Sequence, residues 1–201
     1  MELWSIQPES VFQEILSTGK YRCDITKSQM QNCMEQYDWL VQQMTYRIGP
    51  PPEGVGYPVW AWYQWDENRK RPDLRSERWG NGRKGDRFVL MELDIPEQDV
   101  LLSDFDSWSI ILLHGFLANS EEECLQLEAQ YDSLPKEQQR ILQRKNWERA
   151  FDISPFRSDW TTRGRSVQAT FWELRKEQIL SVNSFVAASS RPLQGRKSVS
   201  K

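Results

Sequence analysis

The chain has 201 residues, of which 38 % are hydrophobic and 27 % charged, with a formal net charge of −3. That length suits one domain with a substantial core, and the charge excludes a strongly basic nucleic-acid binder held by phosphate neutralisation alone. Three scattered cysteines (Cys23, Cys33, Cys124) argue against a disulfide scaffold, and a single histidine, His114, leaves no His-rich metal site.

Residues 2–7 alternate Leu3 and Ser5 against Trp4 and Ile6, the pattern of a short opening strand. Pro8 suits the first turn of a helix, Val11, Phe12, Ile15 and Leu16 supply its apolar stripe, and Gly19 ends it. Ser28-x-x-Gln31 reads as the capping box of a second helix. Met30, Cys33, Met34, Tyr37, Leu40, Val41 and Met44 carry that helix on at three- and four-residue steps. Gly49-Pro-Pro-Pro-Glu-Gly54 then makes a stiff loop.

Three of the ten tryptophans follow in Tyr57-Pro-Val-Trp-Ala-Trp-Tyr-Gln-Trp65. As a strand, this segment points Trp60 and Trp62 to one face and Ala61, Tyr63 and Trp65 to the other, so one face needs cover or lines a cleft. Residues 66–86 are polar, arginine-rich and glycine-punctuated, and predict a long loop. No phosphate loop is present; Gly80-Asn-Gly82 precedes a strand instead of following one.

Residues 87–95 form the next strand, with Val89, Met91, Leu93 and Ile95 on one face. Extended chain resumes at 100–102, and Asp104 and Asp106 share a face if it continues, although capping is the plainer role for aspartate. Ser120-x-x-Glu123 opens a helix with Cys124, Leu127, Tyr131 and Leu134 as its stripe, and Pro135 restarts another to about residue 149. Residues 167–172 predict a strand with Gln168, Thr170 and Trp172 on one face and Val167, Ala169, Phe171 and Glu173 on the other. Residues 178–186 predict a further strand. The order favours an α+β domain, a mixed or antiparallel sheet in two halves with helices packed on it, over residues 1–187. A disordered basic tail is expected from 188 to 201. No basic n-region or long apolar run opens the chain, so a cytoplasmic protein without a membrane partner is expected.

Four stretches carry a family resemblance: Leu3-Trp-Ser-Ile-Gln-Pro8, Tyr57-Pro-Val-Trp-Ala-Trp62, Leu101-Leu-Ser-Asp-Phe-Asp-Ser-Trp108, and Asp159-Trp-Thr through Val167-Gln-Ala-Thr-Phe-Trp-Glu173. They resemble a bacterial and phage family catalogued only as a domain of unknown function. The layout also resembles, more weakly, the ADP-ribosyltransferase fold. That resemblance implies NAD as substrate and no metal, in a cleft between two sheet halves. Ser5 and Gln7 would hold the ribose or amide, and Trp60 or Trp62 would stack the nicotinamide. Gln168 would take the late-strand catalytic position, with Glu173 as its substitute across a bulge. The chain departs from that pattern in having Ser5 and Gln168 where such enzymes carry a histidine or arginine and a glutamate. Apart from the resemblance, the face of Gln168, Thr170 and Trp172 reads as a cleft lining, with Arg163 and Arg165 close by to meet an anion.

Two other readings stand beside it. The tryptophans interleaved with arginines could bind a nucleotide or single-stranded nucleic acid without catalysis. Alternatively, the tryptophans are mostly core, and the chain is a protein-interaction domain.

Overall fold

The computed structural model describes residues 1–27 and 32–188, so the capping box at Ser28 and the tail from 189 onward lie outside the described residues. The strands are β1 (Glu2–Pro8), β2 (Lys20–Tyr21), β3 (Val59–Gln64), β4 (Arg87–Asp94), β5 (Leu101–Asp104), β6 (Val167–Phe171), β7 (Leu174–Arg175) and β8 (Ile179–Val186). The helices are α1 (Glu9–Thr18), α2 (Met34–Ile48), α3 (Leu74–Gly80), α4 (Phe105–Leu112), α5 (Glu121–Asp132) and α6 (Lys136–Trp147). Six strands form one sheet in the order β5-β6-β3-β1-β4-β8, and β2 pairs with β7 in a second. Every pairing between these strands is antiparallel. This is the expected α+β domain.

β1 lies in the middle of the sheet and treats its neighbours unequally. It matches β4 residue for residue from Glu2 opposite Asp94 to Pro8 opposite Phe88, but is registered against β3 only at Trp4 opposite Trp62. Beyond that point the strands part. Ser5 Oγ donates to the Trp60 carbonyl at 2.9 Å in place of a ladder bond. Pro8 and Pro58 have no N–H to continue pairing. The sheet therefore forks into β5-β6-β3 and β1-β4-β8.

Each face has its own core. On one side α1 lays Val11 and Ile15 over Leu3, Val59, Ala61, Val89, Met91, Leu93, Ala169 and Phe171. Gly19 ends this helix at φ 83°, a left-handed value that costs glycine nothing. On the other side α2, α4 and α6 bring Tyr37, Leu40, Met44, Trp108, Ile111 and Trp147 against Leu101 and Trp60. Trp60, Trp108 and Tyr37 form a ring cluster with centroids 5.2–6.3 Å apart. Five tryptophans (Trp4, Trp39, Trp108, Trp147 and Trp172) are buried.

Three stretches differ from expectation, the first being the short β2–β7 pair, which no sequence pattern marks. The predicted loop 66–86 contains α3, whose N-cap Asp73 accepts from Arg75 N at 3.0 Å. It was hidden because none of its residues is buried, so it has no apolar stripe to read. The extended run ends at Asp104, which caps α4, accepting from Ser107 N at 2.8 Å, and its other oxygen accepts from Gly164 N at 2.7 Å. Asp106 accepts from Thr162 Oγ1 at 2.8 Å. The two aspartates thus fasten the 159–166 loop to the start of α4, in the capping role that aspartate favours.

Candidate functional site

The sheet register draws one row of side chains across the face opposite α1. Ser103 stands opposite Gln168, Gln168 opposite Trp62, Trp62 opposite Trp4, Trp4 opposite Glu92, and Glu92 opposite Ser181. Directly opposed residues project from the same face, so six side chains from six strands lie in line. The next row carries Leu101, Thr170 and Trp60.

Ser181 Oγ donates to Glu92 Oε2 at 2.8 Å and Thr170 Oγ1 to the Leu101 carbonyl at 3.2 Å, but other polar atoms of these rows are unpartnered. Trp4 Nε1, Trp60 Nε1, Gln168 Oε1 and Ser103 Oγ are buried with no hydrogen-bond partner among the described residues. Trp4 is 3 % exposed and Ser103 1 %. A buried polar group left unpaired costs about 1–3 kcal/mol, so a cluster of them on one aromatic wall marks a place that something else completes.

A cleft opens over this wall beneath α3. It has two adjoining lobes of about 250 Å³ and 220 Å³ that share Trp62, Glu77 and Gly80. The inner lobe is also lined by Trp4, Ile6, Gln7, Trp60, Ala61, Gln168 and Asn81, and the outer by Trp65, Pro72 and Ser76. Together they reach the lower part of the roughly 300–1,000 Å³ range usual for small-molecule sites. Trp62 is braced edge-on by Trp65 at 4.7 Å and Phe105 at 5.2 Å, which fixes its ring. Glu77 is the carboxylate of the lining. Burial pushes its carboxyl up, the Asn81 amide donating to Oε2 at 3.2 Å lowers it in part, and the charge of Asp73 raises it further.

Trp60, Trp62 and Gln168 are thus brought together, as the resemblance implied. Gln7 joins them, since it lines the inner lobe as well as the α1 side of the fork, and its Nε2 donates to Ser5 Oγ at 3.0 Å. Ser5 does not line the cleft; its hydroxyl is fully buried as a brace to Trp60. Arg163 pairs with Asp152 at 3.1 Å and lies over the Phe156 ring. Arg165 pairs with Asp66, which raises its pKa. Glu173 sits in an ion cluster joining β2 to β7, accepting from Arg22 at 2.8 Å and Arg175 at 2.9 Å, with Lys20 at 3.8 Å. Burial alone would raise this carboxyl, but the two arginine hydrogen bonds and the Lys20 charge hold it below the usual range.

A larger cavity of about 530 Å³ lies on the α1 side of the fork, lined by Gln7, Glu14, Tyr21, Cys23, Asp24 and Trp60 among others. Burial pushes the Tyr21 hydroxyl up to about 12. Trp60 lines both spaces, but Trp4 and Gln168, which also carry unpartnered atoms, line the tryptophan cleft and not this cavity, and for that reason the tryptophan cleft is the stronger candidate. His114 belongs to neither: its Nε2 accepts from the Gln36 amide at 2.8 Å at the end of α4. Among the described residues no group of three or more His, Cys, Asp or Glu could hold a metal ion, and no helix is long and apolar enough to cross a membrane.

Trp4, Ser103, Glu77 and Asn81 were not singled out from sequence. Trp4 and Ser103 could have been, had the register been known, because each stands one strand away from a residue that was. Glu77 carries no local signal; it reaches the cleft only because α3 folds back over the sheet.

No curated protein and no solved structure matches the chain. A family model described as a domain of unknown function, DUF3841, matches residues 2–180, nearly the whole described chain, and the protein belongs to that family.

Proposed function

We propose that the tryptophan cleft binds the planar ring of a nucleotide, with nicotinamide nucleotides such as NAD as the leading candidates. The observation that carries this reading is the set of unpartnered buried groups on the wall: the indole N–H of Trp4, the indole N–H of Trp60 and the Gln168 carbonyl. A ring bearing a carboxamide supplies an acceptor for an indole and a donor for the glutamine, and its flat face suits Trp62. An ADP-ribosyltransferase-like reaction would use the same cleft. Nicotinamide would leave NAD, ADP-ribose would join an acceptor nucleophile, and the acceptor's proton would go to solvent. Gln168 is neutral and Glu173 is engaged elsewhere, so Glu77 is the carboxylate at hand for a ribosyl cation.

The test is thermal unfolding with nicotinamide mononucleotide, NAD, ADP-ribose and AMP, beside an assay for released nicotinamide. The two nicotinamide compounds should stabilise the domain, by about 2.7 kcal/mol at a hundredfold excess over Kd. ADP-ribose, which lacks the ring, should do so much less, and Trp62→Ala should remove the shift. No stabilisation by any of the four at millimolar concentration sinks the reading. Single-stranded nucleic acid has weaker support. Trp65, Trp79 and Trp160 are exposed, but Arg75, Arg163 and Arg165 are each already paired with a carboxylate.

A further inference from the structure

We infer that the cleft selects rings that carry a positive charge, such as an N-alkylated pyridinium, over neutral rings of the same shape, and that Glu77 supplies the opposing charge. The inference rests on the cleft being the ring-binding site proposed above and adds the charge class of its ligand. Tryptophan faces attract cations through their ring quadrupole, more strongly than other aromatics and most strongly when water is kept away. Here Trp4, Trp60 and Trp62 line one lobe with a single carboxylate, Glu77. Among the described residues the lining of both lobes holds no lysine or arginine.

Glu92, opposite Trp4 in the same row, accepts from Ser181 Oγ at 2.8 Å and lines neither lobe. Arg69 already lies over the Trp4 ring at 5.1 Å, held by the carbonyls of Tyr63 and Glu2 and outside the lining of either lobe, so Trp60 and Trp62 are the faces left for a ligand's charge. Arg75 is paired with Asp73 at 2.9 Å and fully exposed. Glu77 therefore has an amide, Asn81, as its partner, and no cation. A carboxyl whose pKa is raised by burial is one that a bound cation would help to ionise. A neutral ring would leave that carboxyl as it is and gain only stacking and the amide bonds.

The experiment compares 1-methylnicotinamide, a cation, with nicotinamide, its neutral parent, by quenching of tryptophan fluorescence in the full chain. Wild type should bind the cation at least about tenfold more tightly, equivalent to about 1.4 kcal/mol. Glu77→Gln, which keeps the shape and the Asn81 contact, should reduce that preference to about twofold or less. Equal affinity for both compounds in wild type overturns the inference and leaves ring binding standing. A preference that survives Glu77→Gln overturns the role of Glu77. Binding of neither compound overturns the ring-binding reading and this inference with it. Circular dichroism of Glu77→Gln separates a charge effect from loss of fold.

Discussion

Gln168 and Glu173 are five residues apart, yet their surroundings assign them opposite duties. The Gln168 carbonyl is buried without a partner, so the folded protein bears a desolvation cost there that ligand-free folding does not recover. Gln168→Met keeps the volume and removes the amide, including the unpartnered carbonyl. It should raise stability by about 1 kcal/mol in urea unfolding and abolish ring binding, a trade typical of a site kept for function. If the variant is less stable, Gln168 is structural after all. Glu173, by contrast, is only 7 % exposed and is held by Arg22 and Arg175. Glu173→Gln should cost about 2–3 kcal/mol at pH 7, somewhat under the 3–5 typical of a broken buried pair, since both arginines are partly solvated. The sign of its pH dependence follows from a folded pKa lowered below the ordinary 4.5. The stabilisation is fully present above that value and is lost as pH falls through the lower folded value. The gap between wild type and Glu173→Gln should therefore be widest near neutrality and close under strongly acidic conditions.

At the scale of elements, α3 is the piece least supported by packing. It buries none of its residues and is tethered by Asp73 at its start. At its end the Ala188 N–H donates to Arg78 O and the Gly85 N–H to Ala187 O. Its amides should exchange with solvent well before those of β1 and β4, and Asp73→Ala should speed α3 exchange while leaving the global urea midpoint unchanged. Equal protection of α3 and the central strands would show that the helix is part of the cooperative core. The same contrast explains what could be read from the sequence. β1, α1, β3, β4, α5, α6, β6 and β8 announced themselves because one face of each is apolar, or because a cap or glycine marks its end. α3 has neither an apolar face nor packing, and α4 was masked because Asp104-Phe-Asp-Ser-Trp108 alternates like a strand until the Asp104 cap is seen. For the site, the tryptophans and Gln168 were legible as residue types out of place in a core. Their meeting with Trp4, Ser103 and Glu77 was not, because strand order and register are set by contacts between segments far apart in sequence.

For the molecule as a whole, the fork between β1 and β3 decides which side of the sheet each polar group serves. Ser5 lies one residue from Trp4, and that single step carries it to the other face. There its hydroxyl is fully buried, donates to the Trp60 carbonyl at 2.9 Å and accepts from Gln7 at 3.0 Å. It bridges the two halves of the sheet where no ladder bond does. Ser5→Ala leaves the Trp60 carbonyl and the Gln7 amide without that partner, so it should destabilise the domain by about 1–3 kcal/mol. Ring binding, measured by tryptophan quenching where the variant remains folded, should change by less than about threefold, because Ser5 does not itself line the cleft and reaches it only through Trp60 and Gln7. A ligand-holding Ser5 predicts the reverse pattern: little loss of stability and a tenfold or greater loss of affinity. Unfolding and quenching measured on the same variant separate the two, since a brace acts on the joining of the halves and a ligand contact acts on the occupant.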